Sequence, residues 1–106
     1  MKFNSQICTS REQSERLLAL GLKKETADMS YQYLDQWDGW FIRPIEEDEK
    51  ITHMEIPAWS LHRLLAMLTT KRKVMLIRFE ADLYVVLIDK IEHEIKEGYF
   101  NKEYLI

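Results

Sequence analysis

Three histidines, one cysteine and eighteen carboxylates are the groups in this chain suited to acid–base, nucleophilic or metal chemistry. His53, His62 and His93 stand apart from one another. None has a second His or Cys three or four residues away, the spacing that places two ligands on one helix face. A metal site would have to assemble from distant pieces, so no metal and no cofactor is expected. Asp89 and His93 are four residues apart in a helical pattern, so the carboxylate can orient the imidazole and raise its pKa. A catalytic dyad of this kind needs a nucleophile, and the chain has no G-x-S-x-G elbow, while Cys8 lies far away in sequence. The pair reads as structural, no catalytic residue is assigned, and the balance leans away from an enzyme.

Phosphate-cradling loops need several glycines whose backbone can approach an anion. The chain has three, Gly21, Gly39 and Gly98, and each falls where a turn or a helix cap is wanted. The acidic run 46–49 reads as a solvated loop rather than a carboxylate pair for glycoside chemistry. Lys71, Arg72, Lys73 and Arg78, with Arg63 nearby, make a local basic patch and are the candidate nucleic-acid contacts. The formal charge of −3 supplies no field to gather phosphate, and cations at a helix end have a structural use, so nucleic-acid binding is the weaker alternative.

The remaining chemistry is aromatic. The stretch 31–45 holds Tyr31, Tyr33, Trp37, Trp40 and Phe41, five of the twelve Phe, Tyr and Trp residues, with Asp38-Gly39 at its centre. β-favouring residues at odd positions before Asp38-Gly39, and Trp40, Phe41 and Ile42 after it until Pro44, predict a hairpin. Side chains on a hairpin alternate faces, so Trp37, Trp40 and Phe41 are the candidate protein-binding residues. They become one only if Trp37 and Trp40 face water together; core is the default for aromatics.

Other elements must hold that hairpin. Thr9 and Glu12 form a T-x-x-E capping box for a helix that ends at Gly21, with Leu17, Leu18 and Leu20 in its buried half. Ser60 caps a second helix whose Leu61, Leu64, Leu65 and Leu68 share a face, and 51–56 is a short extended segment before it. The run 74–79 predicts a strand. Tyr84, Leu87, Ile88, Ile91, Ile95 and Tyr99 make the apolar wedge of a last helix closed by Gly98. The predicted class is α+β: one small domain over residues 1–106, with an antiparallel sheet of about three strands and three helices, in the order helix-strand-strand-helix-strand-helix. The hairpin's inward residues are expected to meet Leu64, Leu68, Ile88 and Ile95.

At 106 residues, 46% apolar and 31% charged, the chain can bury a core and is too apolar for disorder. A lone cysteine rules out an internal disulfide and fits a reducing cytoplasm. No stretch approaches ~18 uninterrupted apolar residues, and no signal-peptide pattern follows the N-terminus, so no membrane association is expected.

The block from Thr9 to Leu22, with Thr26-Ala27-Asp28-Met29 after it, resembles the opening of a group of small uncharacterised proteins of gut Bacteroides and related bacteria, often encoded in phage-like or mobile regions. Ile56-Pro57-Ala58-Trp59-Ser60-Leu61 with Leu64-Leu65, and Ile95-Lys96-Glu97-Gly98-Tyr99, resemble the second and terminal blocks of the same group. No activity, cofactor or catalytic residue is attached to that group, so the resemblance implies no site. Joined to the residues, it implies a cytoplasmic, non-enzymatic interaction module, with an unidentified protein or a second copy as partner. A small enzyme is the third reading.

Overall fold

The computed structural model describes residues 6–46, 50–52, 54–69 and 82–106. His53, the predicted strand 74–79, and Lys71, Arg72, Lys73 and Arg78 lie outside the described residues, as does 47–49 of the acidic run. Among the described residues the elements run α1 (Arg11–Ala19), β1 (Met29–Leu34), β2 (Gly39–Pro44), β3 (Ile56–Ala58), α2 (Leu61–Met67) and α3 (Leu83–Glu97). The strands form an antiparallel sheet in the order β2-β1-β3, which is α+β as predicted. The third strand therefore comes from Ile56–Ala58, ahead of α2. It overlaps the expected extended segment only at Ile56.

α1 starts one residue later than the sequence predicts. Its cap is Ser10, whose hydroxyl accepts from the Gln13 N–H, while the Gln13 side chain accepts from the Ser10 N–H. The box is thus Ser10–Gln13 and not Thr9–Glu12. Thr9 is fully buried and committed elsewhere. Its N–H donates to the Trp59 carbonyl (2.8 Å), its hydroxyl accepts from the Trp59 N–H (3.1 Å), and that hydroxyl also pairs with Ser14 (2.8 Å). Tertiary bonding of a buried hydroxyl outranks a local cap, because a buried polar group without a partner costs about 1–3 kcal/mol.

The far end of α1 is a Schellman turn: Leu22 N–H reaches the Leu17 carbonyl, Gly21 N–H reaches that of Leu18, and Gly21 takes φ +104°. Leu17 and Leu22, the apolar pair that accompanies this motif, are both fully buried.

The core gathers Leu17, Leu22, Trp59, Leu64, Met67, Leu68, Leu87, Ile88 and Ile91, with Phe100 from the tail. The α2 and α3 faces predicted from spacing supply most of it, and Ser60 caps α2 as expected. At the end of α3, Tyr99 is exposed and Phe100 takes the buried place, because Gly98 (φ +84°) turns the chain before Tyr99. Glu94 is buried on the same helix. Its carboxylate accepts from the Thr69 N–H and hydroxyl, so it holds the chain just beyond α2. α1 and α3 are also clasped on the outside, where the Arg16 guanidinium bridges Asp89 (2.7 Å) and Glu92 (2.6 Å).

The hairpin lies apart from this core. Ile45 packs against the buried cluster, but no residue of 31–44 belongs to that cluster or to the partly buried residues around it. Of the packing expected between the hairpin and Leu64, Leu68, Ile88 and Ile95, the described residues show only Ile45 against the same cluster, and the hairpin's attachment ahead of α1 is polar. The Tyr31 hydroxyl donates to the Thr9 carbonyl (2.8 Å) and sits 3.7 Å from the Cys8 thiol.

Candidate functional site

The hairpin turn begins with the 3-10 segment Asp35–Trp37 and ends at Asp38, whose φ of 45° is left-handed. A short polar side chain tolerates that region better than most, so Asp38, and not the glycine after it, closes the four-residue loop. Asp38 also accepts a hydrogen bond from the Tyr33 hydroxyl, which raises the Tyr33 pKa. β1 therefore ends at Leu34, and Trp37 belongs to the turn rather than to a strand.

Trp37 is 70% exposed and Trp40 38%, with Phe41 at 43% and Ile42 at 40%. Trp37 and Trp40, whose orientation the sequence leaves undecided, are thus each exposed, whereas Trp59 is fully buried with its indole N–H on the Thr26 hydroxyl (2.9 Å). Cross-strand register sorts the aromatics. Tyr31 lies opposite Ile42 and Tyr33 opposite Trp40 on one face, and Gln32 lies opposite Phe41 on the other. On the first face the Tyr33 and Trp40 rings meet edge to face at 5.4 Å, and the Arg11 guanidinium covers Trp40 at 5.0 Å from the ring centre. Trp40 is thus fixed in orientation while still offering surface. Phe41 faces the opposite way, so apolar surface covers both sides of the hairpin's outer half.

The inner half is held by charge. Ser30 is buried, and its hydroxyl donates to Glu55 Oε2 (2.5 Å), which also accepts from Arg43 Nη2 (2.7 Å) and Nε (3.1 Å). Burial pushes the Glu55 pKa up, but the Ser30 hydroxyl and the Arg43 guanidinium outweigh it, and the net shift is down. The three residues tie β1, β2 and the approach to β3 together on one face.

Backbone bonding sets the outer border. The Ile45 N–H donates to the Asp28 carbonyl (3.0 Å), and the hairpin keeps one register throughout. Alternation in an antiparallel ladder then puts Ser30–Arg43, Gln32–Phe41 and Leu34–Gly39 in bonded pairs. The N–H and C=O groups of Trp40 and Ile42 consequently point away from β1, along the free edge of β2. No strand among the described residues pairs with that edge.

The groups weighed for catalysis do not converge. His62 is exposed on α2, and the His93 ring meets Tyr99 edge to face at 6.4 Å. The Asp89 carboxylate is occupied by Arg16. Among the described residues no cluster of three His, Cys, Asp or Glu side chains could hold a metal ion, and no helix is long and apolar enough to cross a membrane. Cys8 is buried, and burial raises its thiol pKa, which disfavours the reactive thiolate. Its neighbour Tyr31 is pushed up to about 12, by burial first and then by its contact with Cys8. The hairpin was singled out in the sequence; the Ser30–Glu55–Arg43 cluster and the free β2 edge were not. The only trace of the cluster was the pairing of opposite charges at Arg43 and Glu55 across the loop. No family model matches the chain, and comparisons with curated proteins and with solved structures return no match.

Proposed function

We propose that this chain is a non-enzymatic protein-interaction module that presents the outer half of its hairpin to a protein partner in the cytoplasm. One observation carries the reading: Trp37, Trp40, Phe41 and Ile42 are all exposed, at the tip and on the two faces of an element held by Arg11, Tyr33 and the Glu55 cluster. Exposed aromatics in fixed orientation supply contact area at low entropic cost, which is why such residues dominate the energetics of protein interfaces. The resemblance to proteins of phage-like and mobile regions supports reading the module as an accessory protein of such an element.

The test is affinity capture from the native host with wild type and a Trp37→Ala, Trp40→Ala double variant, with thermal melts as a folding control. A protein captured by wild type and lost by the folded double variant is the expected result. Identical captured sets count against the hairpin.

A further inference from the structure

We propose that the free edge of β2 pairs antiparallel with β2 of a second copy of this chain, about a two-fold axis at Phe41, joining the two sheets into one. The proposal rests on the hairpin reading above and names its partner. A strand edge with unpaired N–H and C=O groups is a template for another strand, and folded proteins commonly blunt such edges with proline, lysine or inward charge. β2 carries one only at its last outward position and leaves the backbone groups of Trp40 and Ile42 open. Pro44 follows at the next outward position, and that proline selects the register.

A two-fold centred on Ile42 would set Trp40 of one copy against Pro44 of the other, with a proline ring where an N–H is needed. A two-fold centred on Trp40 would set Ile42 against Asp38, whose left-handed backbone has left the strand and whose N–H already bonds Asp35. Centring on Phe41 sets Trp40 against Ile42 of the second copy, twice, and every outward N–H finds a carbonyl.

The side chains agree with that register. Phe41 meets Phe41 across a non-bonded pair on one face, and Trp40 lies beside Ile42 on the other, an aromatic–β-branched pairing. Arg43, the only charged side chain in Gly39–Pro44, falls opposite Gly39, so no like charges meet within the strands. The exposed parts of Tyr33, Trp37, Trp40, Phe41 and Ile42 amount to roughly 500 Å² per copy, so even complete mutual coverage would stop at about 1,000 Å². That area is where specific interfaces begin, so the dimer dissociates at roughly micromolar or higher concentration.

Sedimentation velocity on the full chain, from low micromolar to near-millimolar, should show a reversible dimer. Phe41→Lys, which opposes two like charges at the axis, should weaken it by about tenfold or more at an unchanged melting temperature. Phe41→Cys supplies a geometric readout that does not depend on affinity. In a glutathione redox buffer it should form a disulfide-linked dimer several-fold faster than Ile42→Cys, because only position 41 brings the two Cβ atoms within bonding reach. Cys8 is buried and serves as the internal control. A monomer at every concentration overturns the proposal, and so do equal cross-linking rates at positions 41 and 42. The capture experiment keeps the two readings separate. A monomer that still loses a captured protein in the Trp37→Ala, Trp40→Ala variant defeats self-pairing alone. A dimer with identical captured sets retains self-pairing and removes the heterologous partner.

Discussion

The two edges of one sheet are finished in opposite ways. β3 is three residues long, and Pro57 stands at its outward position with no N–H to offer. Pro57 and Ala58 are buried, and just beyond them Thr9 and Trp59 exchange hydrogen bonds that stitch the strand end to the start of α1. β2 is six residues long, its outward N–H groups at Trp40 and Ile42 stay open ahead of Pro44 at the strand end, and its side chains are largely exposed. A tryptophan follows β3 and another lies within β2, yet one is a core anchor and the other a surface. The same residue type takes its role from whether a neighbouring element covers the edge.

The strongest way to break the comparison is to truncate both tryptophans. Trp59→Ala should destabilise the fold by about 3–5 kcal/mol, since it opens a cavity and leaves the Thr26 hydroxyl without its indole donor. Chemical denaturation with an unchanged m-value would register the loss. A cost below about 1 kcal/mol would mean that the covered edge is not what anchors the sheet.

Next in size is the cluster that joins the two edges. Glu55→Gln keeps the shape but removes the charge facing Arg43, and it should cost about 1–3 kcal/mol by denaturation. Its pH dependence has a definite sign. The folded Glu55 pKa lies below the ordinary value of 4.5, so its stabilisation is complete above that value and is lost as pH falls through the lower folded pKa. Wild type should therefore lose stability on acidification below about 4.5 more steeply than the variant does. Parallel acid profiles for the two proteins would remove Glu55 from the account.

Much of this arrangement was legible in the sequence. Gly21, Gly98 and Ser60 announced their caps because those signals are local: a backbone conformation or a single hydroxyl decides them. Asp38-Gly39 announced the hairpin for the same reason. Thr9 misled because its hydroxyl is engaged by Trp59, fifty residues away, and no spacing rule encodes that contact. β3 escaped because Pro57 reads as a strand breaker in sequence, whereas at an edge its missing N–H points outward and breaks nothing. The orientation of Trp37 and Trp40 was illegible for a further reason. A hairpin pattern fixes alternation, but which face is covered depends on where α1 begins, and here Arg11 arrives over Trp40 without enclosing it.

The smaller effects belong to the open edge. Trp40→Ala removes the edge-to-face contact with Tyr33 and the Arg11 cation from its ring, and it should cost about 1 kcal/mol.

Trp37→Ala should change stability by less than about 0.5 kcal/mol, because a side chain 70% exposed in a turn has little folded-state contact to lose. The smallness of that number is what makes it informative. A ring this exposed has little folded-state contact to lose, so an effect of its removal on binding can be read without a folding penalty. A thermal melt of Trp37→Ala that matches wild type, alongside loss of the captured partner or of the dimer, would separate folding from binding at a single position. A melt lowered by several degrees would instead make Trp37 a structural residue of the turn and return the hairpin tip to the fold.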